Sequence, residues 1–370
     1  MVEHALEQPT HRDPRSSILD LLPANPYPSV VVAGPLSQRL LSILQLTRMA
    51  LVFTAISNSL CSMLLLAQYT GQYPQMMTVG RVSACVIISI GLYGFGMSLN
   101  DIIDRRRDQQ LAAHRPLPSG RIGVTTAHTI CTLLLLAAFG AGIYYSRHQE
   151  TPRATMLTLM LLAWTAMLIV FYDYAGKYLV ALGICTLGLI RFFHAVIPAP
   201  QLPLLWHPLF LMNHTTILSA VCYQLEAKRP PLTRRHWYAV FAGLLIADAV
   251  CILAVWWKHD RGLELSRFAE SLWVMPGLLY AGTAAVLFAL MAWVIRRRYL
   301  DPRIAGQTMM LIGLLYLIVY DVCFVAGYVS PVAASLLLLL LPAAYLMVLL
   351  MRWWSKILSL SQKPTFQRAR

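Results

Sequence analysis

The sequence predicts an all-α membrane protein, a polytopic transmembrane helical bundle of about nine or ten helices. Charged residues make up 12% of the chain and hydrophobic ones 58%. A soluble domain carries about 25% charged residues, so this apolar excess has to be covered by a bilayer. The apolar residues also gather into runs of about 20, the length that crosses the hydrocarbon core. None of these runs alternates with a period of two, which argues against a β-barrel.

Ten spans are expected, at 40–68, 81–100, 124–146, 154–172, 178–198, 204–223, 237–257, 272–296, 306–328 and 331–352. Only the Ser330–Pro331 turn separates the last two, which predicts a tight helical hairpin. Residues 1–36 are polar and broken by prolines, with Glu3, Glu7, Asp13 and Asp20. The acidic residues and the missing apolar core do not fit a secretory signal or a transit peptide, so a mobile cytoplasmic tail is expected. Residues 37–355 are expected to form the transmembrane domain, and 356–370 a basic cytoplasmic tail.

The net charge of +14 is explained by where the basic residues fall. The tails and the loops after spans 2, 4, 6 and 8 hold 22 of the 30. The opposite loops hold six (Arg81, Arg147, Arg153, Lys258, Arg261, Arg267), and Arg48 and Arg191 lie within spans. The positive-inside rule then places both termini and the even-to-odd loops in the cytoplasm. Membrane lipid is the expected surrounding, and no nucleic-acid partner is needed. The seven cysteines lie in or beside apolar runs without Cys-x-x-Cys spacing, as small buried hydrophobes would.

The chemistry concentrates at the cytoplasmic end of span 2, in Asn100-Asp101-Ile102-Ile103-Asp104-Arg105-Arg106-Arg107-Asp108, where three of the sixteen acidic residues fall. On a helix, Asn100, Asp104 and Asp108 share one stripe, with Asp101 beside it. Such hard oxygen donors suit Mg²⁺, which binds through one or two carboxylates together with waters and substrate phosphates. The alternative is a solvated juxtamembrane helix with local pairs such as Asp104–Arg107 and Asp101–Arg105. Against it stands the next segment, His114-Arg115-Pro116-Leu117-Pro118-Ser119-Gly120-Arg121, a rigid basic turn that returns the chain to the same surface. Acid and base together there suit a diphosphate bridged by metal and clamped by arginine.

These two segments resemble the first aspartate motif of the UbiA superfamily of intramembrane prenyltransferases. The resemblance runs from about residue 40 to 240, taking in Arg48 and Asn58 in span 1, Tyr172 and Lys177 after span 4, and Arg191 in span 5. It implies a bundle around a central cavity with polar motifs at its cytoplasmic mouth. It also implies prenyl diphosphate and a lipophilic, aromatic acceptor of the quinone-precursor kind as substrates, and Mg²⁺ as cofactor. Asn100, Asp104 and Asp108 would then hold the metal with Asp101 in support, and Arg48, Asn58, Arg115, Arg121, Lys177, Arg191 and Arg229 would surround the diphosphate. The family's second motif, Asp-x-Glu-Gly-Asp, is altered here to Gln224-Leu225-Glu226-Ala227-Lys228. Either Lys228 and Arg229 supply the positive charge of a second metal, with Glu226 and Lys228 taking part in catalysis, or the site is degenerate and binds or transports a polyprenyl lipid or hydrophobic metabolite. A phosphatidyl-transferring enzyme of the CDP-alcohol class would require an Asp-Gly start and a glycine between spaced aspartates, which this stretch lacks.

Asp248 and Asp321 lie inside spans 7 and 9 and belong to no motif, although an intramembrane carboxyl points to function by default. Asp173 is read either as a proton acceptor or as a helix cap. His194, on the Arg191 face, is expected to be a satisfied interhelical histidine.

Overall fold

The computed structural model describes residues 36–112, 115–149, 151–201, 205–259 and 277–361. The expected N-terminal tail, the last residues of the C-terminal tail, His114 and the start of the eighth span lie outside them. Every regular element in the described residues is helical.

In chain order the helices are α1 (Leu36–Leu46), α2 (Val52–Thr70), α3 (Val79–Ile103), α4 (Arg105–Leu111), α5 (Val124–Arg147), α6 (Pro152–Tyr174) and α7 (Val180–Val196). They continue as α8 (Trp206–Leu225), α9 (Arg234–His259), α10 (Leu278–Arg298), α11 (Pro302–Tyr328), α12 (Pro331–Leu338) and α13 (Leu340–Ser361). Among the described residues, eight helical spans are long and apolar enough to cross a membrane, counting Pro331–Ile357 as one; α7 is shorter. The protein is an integral membrane protein with an all-α bundle.

The helix starts follow from local chemistry. Thr151, Asp301 and Ser330 each accept a hydrogen bond from a backbone N–H two or three residues on, and a proline follows each at the first helical position. The side chain satisfies a donor the helix leaves free, and the proline lacks one there.

One expected span is corrected, and another, though long enough to cross a membrane, is interrupted. The first, 40–68, is not one helix. α1 stops at Leu46, Thr47 Oγ1 donates to Ile43 O at 3.0 Å, Arg48 takes a left-handed backbone conformation (φ 46°), and a 3₁₀ turn over Met49–Leu51 leads into α2. The polar Gln45, Thr47 and Arg48 interrupt the apolar run, and the break turns Arg48 toward Asp101 on α3. The last, 331–352, breaks after Leu338 and resumes at Leu340. Pro342 has no N–H to give the carbonyl of Leu338, so the helix cannot run through unbroken. The expected hairpin forms, with α11 packed against α12.

α2 is the central element, with 72% of its apolar window buried, against 11% for α9 and 17% for α10. It packs on α3, α7, α11 and α13; α8 packs between α7 and α11. Close crossings depend on small residues. A Cβ on Gly91 of α3 would lie 2.6 Å from Leu134 O and 2.8 Å from Ala138 Cβ on α5.

Candidate active site

The helix carrying the carboxylates is almost continuous. Asp104 N donates to Asn100 O at 2.9 Å and Asp108 N to Asp104 O at 2.8 Å, across the junction between α3 and α4. Asn100, Asp104 and Asp108 therefore share one stripe, as the spacing predicts. Asp101, Asp104 and Asp108 are all buried, at 4%, 7% and 4% exposure.

Each of these acids is met by a cation from elsewhere in the chain. Lys177, in the turn after α6, donates to Asp104 Oδ1 at 2.8 Å. Arg115 lies 2.5 Å from Asp108 Oδ2 and 3.6 Å from Asp101 Oδ1, and Arg48 lies 3.5 Å from that same oxygen. The pairs therefore do not run along the helix to Arg105 or Arg107, as a solvated juxtamembrane helix would have them. Three segments outside this helix converge on one acidic stripe. Asn100 Nδ2 donates to Asp173 Oδ1 at 2.8 Å, which adds a fourth carboxyl from α6. Asp173 is thus a partner of the motif and does not cap a helix.

Below this mouth lies a second layer. Arg191 donates to Asn58 Oδ1 and Thr54 Oγ1, both at 3.2 Å. Asn58 Nδ2 in turn donates to Asp321 Oδ2 at 2.8 Å, and His207 Nε2 lies 2.6 Å from Asp321 Oδ1. Ser62 Oγ is 3.2 Å from His207 Nδ1. Asn58, His207 and Asp321 are fully buried, and this polar chain joins α2, α7, α8 and α11. Cys61, His207 and Asp321 also bring ligand atoms within 4.8 Å of one another, the only such acid, histidine or cysteine triple among the described residues. The three motif carboxylates are spread more widely than that.

The second motif lies at the end of α8. Lys228 pairs with Glu226 at 3.0 Å and is 47% exposed, while Gln224 accepts from Trp237 Nε1 at 3.2 Å. Gly306 of α11 packs against Glu226, where a Cβ would come within 3.1 Å of Glu226 Cγ. Arg229 is exposed in this turn. Arg121 donates to Ser119 Oγ at 3.0 Å and to Gln45 Oε1 at 3.1 Å.

His194 departs from expectation: both ring nitrogens are buried without a hydrogen-bond partner among the described residues. Asp173 and Asp321 were visible in the sequence as unusual carboxyls, but their partners lie 73 and 263 residues away. His207 gave no sequence signal beyond its place at the start of a span.

The donor set fits Mg²⁺. Half-buried Asn100 and buried Asp104 and Asp108 offer hard oxygens on one face, and Arg115 and Lys177 balance the charge.

The UbiA prenyltransferase family model matches residues 50–200, which includes the carboxylate stripe, Lys177 and Arg191. No curated protein matches the chain. A solved structure of digeranylgeranylglyceryl phosphate synthase is 14% identical, covering 79% of this chain and 99% of that one with a TM-score of 0.51, a likeness of fold. A UbiA homologue from Archaeoglobus fulgidus is 12% identical over 77% of this chain and 99% of its own, with a TM-score of 0.46. The same homologue bound to GPP and Mg²⁺ gives 0.48 at the same identity and coverage. Residues 50–200 therefore match the UbiA prenyltransferase family, and the bundle shares the fold of the solved synthase.

Proposed function

We propose that the chain is an intramembrane prenyltransferase, moving a prenyl group from a prenyl diphosphate to a lipophilic acceptor with Mg²⁺. The convergence of Arg48, Arg115 and Lys177 on Asp101, Asp104 and Asp108 carries this reading. Acids and bases are already paired in a buried mouth, and a metal–diphosphate complex can enter by partner exchange. Asn100, Asp104 and Asp108 would turn to the cation, and Arg115 and Lys177 to the phosphate oxygens. Mg²⁺, when bound, adds positive charge against the leaving diphosphate.

The allylic C–O bond breaks with its electron pair leaving on the diphosphate, and the acceptor's nucleophile then bonds to the allylic carbon and loses a proton. Arg115 and Lys177 stabilise the charge growing on the diphosphate oxygens. Arg48, in the turn after α1, is held to Asp101, and Arg191 of α7 is held by Asn58 and Thr54. The positive-inside charge balance supports a cytoplasmic mouth and cytoplasmic termini.

A second reading has its own observation. Glu226 and Lys228 neutralise each other, and Gln224 is engaged by Trp237, as in a protein that holds a prenyl lipid without turning it over. The two readings separate on incubating purified protein with a panel of labelled prenyl diphosphates, Mg²⁺ and membrane-extracted acceptors. Turnover gives pyrophosphate and a prenylated product by mass spectrometry; a binder gives neither.

A further inference from the structure

The bundle contains a cavity of about 1140 Å³, walled by α8, α9, α10 and α11. It is larger than the common small-molecule pocket of roughly 300–1,000 Å³. Its α8 wall runs from Trp206 to Leu225 at helical spacing, so the slot is about 28 Å long at 1.5 Å per residue. That is close to the thickness of the hydrocarbon core. Most of its surface is apolar or aromatic, from Phe210, Ile217, Phe288, Trp293 and Tyr320 among others. A slot of this length and character suits a molecule with a long apolar tail.

Gln224 and Arg296 also line the slot, and a polar cluster lies around Asp248. Near the midpoint of α9, Asp248 faces the slot, and Asn213 Nδ2 of α8 donates to its two carboxyl oxygens at 3.0 and 3.3 Å. No basic side chain pairs with it among the described residues. A carboxyl group has about four acceptor positions, and one amide leaves most of them open at a depth where water is scarce. His214 beside it is already engaged, with Nε2 2.9 Å from Gly313 O and Nδ1 3.1 Å from Tyr320 OH. Around that ring Phe288 and Tyr320 stand at 4.6 and 5.0 Å between centroids. They offer an aromatic ligand faces and edges to pack on.

We propose that this slot binds a lipophilic phenol, its ring among Phe288 and Tyr320, its hydroxyl donated to Asp248 and its tail along α8. None of the paired carboxylates or cations of the mouth lines the slot, so the assignment stands without the transfer reaction. At one end the slot reaches Gln224 and Leu225, the residues before Glu226 in the chain.

The test uses the full chain in lipid nanodiscs and two radiolabelled probes, a long-chain alkylphenol and the matching alkylbenzene. The parent protein should bind the alkylphenol saturably and the alkylbenzene about tenfold or more weakly, the effect of one hydrogen bond to a carboxylate. Asp248→Leu should lower alkylphenol binding to the alkylbenzene level, and Ala289→Trp, which fills the slot, should abolish saturable binding of either probe. Equal binding of the two probes by the parent overturns the proposal, as does unsaturable partitioning alone. Undiminished alkylphenol binding by Ala289→Trp overturns it too, and that comparison holds even if Asp248→Leu fails to fold.

Discussion

Lys177 and Asp104 are each only 9% exposed and meet at 2.8 Å, and this pair shows how single residues set the site's character. Removing one member strands the other, so Lys177→Met should cost about 3–5 kcal/mol of stability as well as diphosphate affinity. Asp321 has the same logic in the deeper layer. Asp321→Ala leaves both Asn58 Nδ2 and His207 Nε2 without their acceptor. Each orphaned group costs about 1–3 kcal/mol, and the loss is read as a lower unfolding midpoint of the purified protein. At the altered second motif, Lys228→Ala should weaken prenyl diphosphate binding while Lys228→Asp raises the Mg²⁺ dependence; no change in either would show that Lys228 plays no part in the site. The acids were legible in the sequence because carboxyls are rare in apolar runs, and the Asn100–Asp104–Asp108 stripe follows from helical spacing. The pairing of Asp321 with Asn58 was not legible, because 263 residues separate them and only packing of α11 on α2 brings them together.

At the level of elements, the crossings of α3 with α5 and of α7 with α8 depend on missing side chains. Gly91→Ala places a methyl 2.6 Å from the carbonyl of Leu134, which cannot move without shifting α5. Overpacking of this kind costs about 1–3 kcal/mol. Gly140 on α5 has nothing within 4 Å of its Cβ position, so Gly140→Ala should be neutral or stabilising by up to about 1 kcal/mol through helix propensity. Thermal unfolding of the two variants side by side checks the contrast. Most helix positions were readable from hydropathy, but the two interruptions were not read from it. An apolar window averages over Gln45, Thr47 and Arg48, and it counts Leu338 through Leu341 as ideal helix although Pro342 withholds the N–H that would join them.

For the whole molecule, the bundle places its paired acids and cations at one end, and the basic loops share that end. If the ten spans expected from the sequence all cross, both termini should lie on that side as well. A fluorescent-protein fusion after Arg370, which fluoresces only when folded in the cytoplasm, should be bright, and a periplasmic phosphatase fusion at the same point inactive. The reverse pattern would invert the topology and move the mouth to the other face. The altered second motif makes the first one decisive, since Asn100, Asp104 and Asp108 alone would have to hold the metal. The most direct measurement is therefore Mg²⁺-dependent pyrophosphate release by Asp104→Asn/Asp108→Asn beside the parent protein. Loss of about a hundredfold or more, the scale of removing a principal electrostatic group from a transition state, is the predicted result; release at the parent rate, with the protein intact and folded, would contradict the account.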